Sequence, residues 1–142
     1  MATLPLDPQG FIARHLTPEA EQSPQDSGAV VGHVHLQVGD VVTARAFYVD
    51  ALGFSPTFEM PSALFVSAGG YHHHLAMNTW RSAGAARRAI TLGLGEVTID
   101  LPDAEDLGRL AERLRRLGIT VRDDGAALLV EDPWANLVRL RA

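Results

Sequence analysis

Residues 68–80 read AGGYHHHLAMNTW, and the rest of the chain is organised around this stretch. Three consecutive histidines follow a Gly-Gly turn and lead into a run of alternating character. In a β-strand, successive side chains point to opposite faces. The alternation predicts that His72, His74 and Asn78 share one face. His73 falls on the opposite, apolar face, where we expect a structural role on the helix-covered side or at an edge.

The composition limits the classes of protein to consider. The 142 residues fit one domain, and a hydrophobic content of 46% supports a real core. The formal net charge of −5 argues against nucleic acid, whose recognition needs a basic footprint. No apolar run is long enough to cross a bilayer, and the first residues lack the features of a signal peptide. We therefore expect a cytoplasmic protein with no membrane or nucleic-acid partner.

Two absent residue types restrict the chemistry further. The chain contains neither cysteine nor lysine. Disulfides, thiolate nucleophiles, thiolate metal ligands and a Schiff-base lysine are therefore excluded. Histidine, carboxylate, arginine and hydroxyl groups remain available for chemistry.

The pattern of elements predicts an extension followed by a repeated module. Residues 1–29 read as an N-terminal extension and linker, with a short helix near 8–16. The remaining domain, 30–142, shows the order β-α-β-β-β twice, in modules 30–78 and 93–141. A module of this size cannot bury its sheet alone, so two copies are expected to share one core.

Matched start and stop signals support the repeat. Asp40 and Asp103 are predicted N-caps of the two long helices, and they lie 63 positions apart. Gly53 and Gly118 are predicted to end those helices and lie 65 positions apart. His33 and Glu96 match at a spacing of 63, and we match His74 with Arg139 at a spacing of 65.

The fold class follows from these modules. We predict an α+β fold in which each helix covers one face of its sheet, so the opposite, concave face collects the polar side chains. Strand by strand, these are His33, His35 and Gln37; His72, His74 and Asn78; Glu96, Thr98 and Asp100; and Arg139 and Arg141. Four polar sets in a repeated register predict one shared cavity for a small molecule.

Several motifs resemble a known family. GHVHLQVGD followed by AFYVDALGF resembles the opening of modules in the vicinal oxygen chelate superfamily, which includes glyoxalase I, bleomycin-resistance proteins and extradiol dioxygenases. ALFVSAGGYHHHLAMNTW and LLVEDPWANLVRL resemble the second half of long catechol 2,3-dioxygenases, and TLPLDPQGF resembles the linker before that half. The resemblance covers about residues 30 to 141. It implies the vicinal oxygen chelate fold and a homodimer, with the connection 79–92 as a candidate swap hinge.

The resemblance also implies metal ligands on the first and last strands of each module. Those positions correspond here to His33, His74 and Glu96, a set suited to Fe²⁺ or Mn²⁺ with open positions for substrate. Extradiol members usually carry a glutamate where Arg139 stands, and a guanidinium cannot bind a metal. An ion pair between Glu96 and Arg139 would close the metal position with protein charge.

Two interpretations from different functional classes remain open. In the first, an enzyme uses a divalent ion for extradiol ring cleavage or a lyase step, with His72 and His35 as catalytic acid and base. In the second, a metal-free binding protein sequesters an aromatic or antibiotic ligand. Either way Arg139, Asn78 and Gln37 are expected to line the ligand pocket.

Overall fold

The computed structural model describes residues 5–22, 30–89 and 92–142. The chain divides into two compact units, Met1–Val30 and Val31–Ala142. In the first unit, α1 (Pro8–His15) and α2 (Pro18–Gln22) are the described elements. The short helix predicted near 8–16 is present. The second helix interrupts the stretch that we expected to be only a linker, because Thr17 Oγ1 accepts a hydrogen bond from the Ala20 amide at 3.2 Å.

The second unit contains the predicted order β-α-β-β-β twice. The first module comprises β1 (Val34–Gln37), α3 (Val41–Arg45), a π-helical segment (Ala46–Ala51), β2 (Ser55–Met60), β3 (Ala63–Ser67) and β4 (Leu75–Asn78). The second comprises β5 (Val97–Asp100), α4 (Ala104–Arg116), β6 (Arg122–Asp123), β7 (Leu128–Glu131) and β8 (Leu137–Arg141). The strand orders are β1-β4-β3-β2 and β5-β8-β7-β6. In each sheet the first strand is parallel to the last, and the other pairs are antiparallel. The predicted α+β class and the two modules are confirmed.

Local signals place the helix ends where the sequence predicts them. The Asp40 carboxylate accepts a hydrogen bond from the Thr43 amide at 2.6 Å, and the Asp103 carboxylate accepts one from the Asp106 amide at 2.8 Å. Gly53 follows the first helical segment with φ of 92°, a conformation that a residue with a Cβ rarely adopts. The first helix differs from the expected α-helix because its second half widens into a π-helix.

The apolar side chains of both modules form one buried cluster. Its largest fully buried members include Tyr48, Leu64, Met77 and Leu114. The Tyr48 hydroxyl donates a 2.9 Å hydrogen bond to the Asp132 carboxylate, which is only 2% exposed. A residue of the first module is therefore joined to the second module through a buried polar contact.

The strand register corrects one of our matches between the modules. His35 lies beside Ala76 in the first sheet, and Thr98 lies beside Arg139 in the second. The position equivalent to Arg139 is therefore Ala76, not His74 as we matched it. Because the second helix is two residues longer, the sequence match also applied a two-residue offset to the last strand. The structure removes that offset before β8 begins.

The connection between the modules is held by backbone contacts over its described part, 79–89. The Gly84 amide donates to the Gly39 carbonyl at 2.8 Å, and the Trp134 indole donates to the Ala85 carbonyl at 2.9 Å. A Cβ added at Gly39 would lie 2.2 Å from that same carbonyl oxygen, so only glycine fits there. Residues 90 and 91 of the proposed hinge lie outside the described residues. Among the described helices, none has the length and apolar character needed to span a membrane.

Candidate metal and ligand site

The three consecutive histidines lie just before a strand and not within one. β4 begins only at Leu75, while the preceding Gly69 and Gly70 have φ of 67° and 77°. Residues 71–74 therefore form an irregular segment between a left-handed turn and the strand. Because strict alternation applies only to regular strands, the predicted sorting of these histidines between two faces cannot hold throughout.

Four histidine rings come together at the amino end of β1. The ring centroid of His73 lies 4.4 Å from those of His33 and His72, and the His33 ring lies 5.1 Å from that of His35. Our assignment of His73 to the apolar face was wrong, because its ring packs against these imidazoles. We name these four residues the histidine cluster. The sequence contains the histidines, but its pattern did not predict the irregular segment that brings His73 to the face that carries His33 and His35.

Three members of the cluster are spaced to share a cation. One side-chain nitrogen from each of His33, His72 and His73 lies within 4.8 Å of the others. His73 is only 6% exposed, and its Nε2 atom has no hydrogen-bond partner in the part of the chain that the structure describes. A buried polar atom without a partner is costly, so a ligand for this nitrogen is expected. Neutral imidazole is a good ligand for transition metals, and the residues present fit such an ion.

The environment favours the neutral form of two members of the cluster. Burial, followed by the charge of His33, lowers the pKa of His35 below its ordinary value. Burial also lowers the pKa of His73, with smaller contributions from His33, His72, His35 and His74. Both shifts favour the neutral imidazole, which is the form that binds metals.

The three residues predicted as metal ligands line one open cavity of about 590 Å³. They are His33, His74 and Glu96. The Nδ1 atom of His74 accepts a hydrogen bond from the Ala68 amide at 3.3 Å, and its ring lies 4.9 Å from that of Tyr71. His33 thus belongs both to this cavity and to the histidine cluster.

Aromatic rings continue the surface beside the histidine cluster. The Phe65 ring lies 5.1 Å from His73 and 6.0 Å from His35, and it also contacts Phe58 at 5.8 Å. Phe58 is 58% exposed, so its ring is available to a flat ligand. The predicted pocket residues Gln37 and Asn78 are direct neighbours in the register of β1 and β4.

The polar face of the second sheet carries paired charges. Arg139 donates from Nε to Glu96 Oε1 at 3.0 Å and from Nη1 to Asp124 Oδ2 at 2.7 Å. The Arg139 guanidinium, with help from the amides of Ala126 and Ala127, lowers the pKa of Asp124 to about 2. The structure thus contains the pair expected between Glu96 and Arg139. It adds a second carboxylate, Asp124, from the turn between β6 and β7.

The arrangement of two β-α-β-β-β modules with polar sheet faces defines a class of small-molecule domain. A family model described as the Glyoxalase/Bleomycin resistance protein/Dioxygenase superfamily matches residues 30–140. The chain belongs to this superfamily, as the motifs predicted.

Two curated relatives are dioxygenases. The chain is 36% identical over 136 residues to a catechol-2,3-dioxygenase of Bacillus subtilis (strain 168), covering 94% of this chain and 47% of the relative. It is 28% identical over 117 residues to biphenyl-2,3-diol 1,2-dioxygenase 3 of Rhodococcus globerulus, covering 78% of this chain and 62% of the relative. The chain thus spans about half to two thirds of the length of these proteins.

Solved structures share the fold at lower identity. A lactoylglutathione lyase from Agrobacterium tumefaciens superposes with a TM-score of 0.60 at 20% identity, covering 79% of this chain and 92% of that one. The fosfomycin resistance protein FosX from Mesorhizobium loti superposes with a TM-score of 0.59 at 16% identity, covering 78% and 89%. At these identities the likeness shows the fold alone.

Proposed function

We propose that the protein is a divalent-metal-dependent enzyme acting on a small aromatic molecule with neighbouring oxygen atoms, by extradiol-type ring cleavage or a related lyase step. The observation that carries this proposal is the histidine cluster, with its buried, unpartnered His73 nitrogen beside exposed aromatic surface. The 36% identity to a catechol-2,3-dioxygenase supports the reaction class.

The metal would act as a Lewis acid that binds the substrate oxygens. Every candidate ligand set contains His33, since it lines the cavity with His74 and Glu96 and also belongs to the histidine cluster. Fe²⁺ and Mn²⁺ remain the candidates for the set that contains Glu96.

The remaining polar residues would position the substrate and move protons. His35 and His72 are proposed as acid and base because both lie in the histidine cluster. A neutral His35 is suited to accept a proton at neutral pH. Gln37, Asn78 and Arg139 are proposed as polar contacts around an aromatic ligand that stacks on Phe58 or Phe65.

The test measures oxygen uptake by tag-free protein that is supplied with catechol and with one metal, either Fe²⁺ or Mn²⁺, in separate assays. We expect uptake by wild type that is lost in His33→Ala. The matched control is His15→Ala, which removes a histidine from the first unit and should leave uptake unchanged. If no metal supports uptake and His33→Ala behaves like wild type, the proposed ring cleavage is wrong and only the lyase step is left.

A second candidate is a metal-free protein that sequesters an aromatic ligand. The ion pairs of Arg139 favour it, because they already satisfy Glu96 without a metal. Calorimetry with catechol on chelator-treated protein separates the two candidates. Ligand binding that persists without metal, together with no oxygen uptake, would favour sequestration.

We also propose that the protein is a homodimer. β1 and β5 each lie at one end of their sheet order, so one edge of each strand is open to pairing. Light scattering after size exclusion is expected to give twice the 15.3 kDa mass of the chain. A mass of one chain at micromolar concentration would contradict this proposal.

A further inference from the structure

The carboxylate of the predicted metal-ligand set is already engaged. Glu96 accepts from Arg139, and Arg139 is held on its other side by Asp124. The Arg139 side chain is 26% exposed, so this guanidinium is partly shielded from solvent. Moving Glu96 to a metal would leave Arg139 with one partner and bring a cation near it, which is unfavourable on both counts.

The histidine cluster offers nitrogen atoms alone. Among the described residues, the group whose ligand atoms lie within 4.8 Å of one another is His33, His72 and His73, and it contains no carboxylate. His74 does not belong to that group, and its Nδ1 atom already accepts the Ala68 amide. The unpartnered Nε2 of His73 points to a ligand here, independently of the spacing.

We propose that His33, His72 and His73 form a metal site with an all-imidazole donor set, selective for Zn²⁺, Co²⁺ or Ni²⁺ over Mn²⁺. This inference rests on the proposed metal dependence and replaces the ligand set that contains Glu96. Because Zn²⁺ has no redox chemistry, it favours the lyase step over ring cleavage. Imidazole suits the later transition metals, whereas Mn²⁺ prefers carboxylate and water oxygens. Three protein ligands around Zn²⁺ leave a fourth position open to substrate.

The donor set also determines which substrates the site prefers. Three neutral imidazoles leave the full double charge of the ion in place, whereas a carboxylate ligand would cancel part of it. An anionic oxygen ligand is therefore favoured at the open position. In this assignment His72 is a metal ligand, and His35 alone stays as the neighbouring acid or base.

The test is calorimetric titration of chelator-treated, tag-free protein with Zn²⁺ and with Mn²⁺. We expect one Zn²⁺ per chain, bound at least about 100-fold more tightly than Mn²⁺. Co²⁺ should give the strong visible absorption of a four-coordinate site. His72→Ala should weaken Zn²⁺ binding by about 100-fold or more. The loss of a metal ligand costs more affinity than the loss of a residue that hydrogen-bonds a ligand, which costs about 10- to 100-fold.

Glu96→Gln discriminates between the two ligand sets and should keep its Zn²⁺ binding, while His15→Ala, in the first unit, is the matched control. His73→Asn is a second ligand variant of similar shape, checked for folding by circular dichroism, and should also lose Zn²⁺. If Glu96→Gln weakens binding as much as His72→Ala, or Mn²⁺ binds as tightly as Zn²⁺, the all-imidazole site is wrong while metal dependence stands. If no metal binds, both this inference and the proposed metal enzyme are wrong.

Discussion

The two sheets place different chemistry at equivalent positions. In the first sheet His35 lies beside Ala76, while in the second Thr98 lies beside Arg139. The first face carries clustered imidazoles; burial lowers the pKa of two of them, His35 and His73, and the Nε2 atom of His73 has no partner among the described residues. On the second face Arg139 is joined to two carboxylates. A repeated fold thus carries clustered imidazoles on one face and ion-paired charges on the other.

The largest expected effect comes from breaking the contact that joins the modules. Asp132 accepts hydrogen bonds from the Tyr48 hydroxyl, the Trp134 amide and both nitrogens of Asn136. Asp132→Ala would leave these buried donors unpaired, so we expect the free energy of unfolding to fall by about 3–5 kcal/mol. Urea denaturation measures this change. Asp50→Ala, at an exposed position, is the control and should stay near wild type; a loss below about 1 kcal/mol in Asp132→Ala would contradict the prediction.

The next effect tests whether only the first face takes the cation. Zn²⁺ at 100 times its dissociation constant should raise the free energy of unfolding by about 2.7 kcal/mol, because it binds the folded state. The rise should vanish in His33→Ala and persist in Arg139→Gln. Thermal denaturation with and without Zn²⁺ measures it. If Arg139→Gln loses the rise, the two faces act together and the comparison between them is wrong.

A smaller effect should follow from the loss of the ion pairs of Arg139. Because these pairs lie at a partly exposed site, Arg139→Gln should lower Tm by no more than about 4 °C at low salt. The difference from wild type should shrink at 1 M NaCl, where charges are screened. Arg141→Gln is the control, since Arg141 is 56% exposed and pairs only with Asp100 among the described residues. A larger loss of Tm that does not change with salt would indicate that Arg139 stabilises the fold by packing and not by charge.

The smallest effect is a pH dependence of the second face. The pKa of Asp124 is about 2 in the folded protein, against an ordinary value of 3.8. Its charge therefore contributes stability in full above about pH 3.8, and this contribution is lost as pH falls through about 2. Asp124→Asn keeps an oxygen for the turn amides and removes the charge. In urea denaturation, its free energy of unfolding should lie below that of wild type by a constant amount from pH 5 to 7, and this difference should disappear near pH 2. A difference that grows as pH falls would contradict the prediction.

Sequence patterns predicted much of the fold because they reflect local physics. Asp40 and Asp103 cap helices through their own side chains, and Gly53 tolerates a positive φ that ends the first helix. These are contacts within a few residues, so one sequence is enough to predict them. The pair between Glu96 and Arg139 was also expected, since both were assigned to the polar residues of one cavity.

The candidate site was predicted in part. His33, His35 and His72 were singled out and do meet, but His73 was assigned to the wrong face. Asp124 was missed as a partner of Arg139, because a turn carboxylate gives no sign of what lies across the sheet. The match of His74 with Arg139 failed for the same kind of reason: spacing along the chain does not record where extra residues are absorbed.

The sequence by itself determined the order of elements, the repeat and the residue types available for chemistry, because these depend on composition and on periods of two and 3.6 residues. Only the tertiary structure decided which histidines share one space and which carboxylates are already neutralised. Those outcomes depend on where β4 starts, on the register of β8, and on a turn brought beside Arg139. Each of these features depends on contacts between residues far apart in the chain, and the packing of the whole domain selects those contacts.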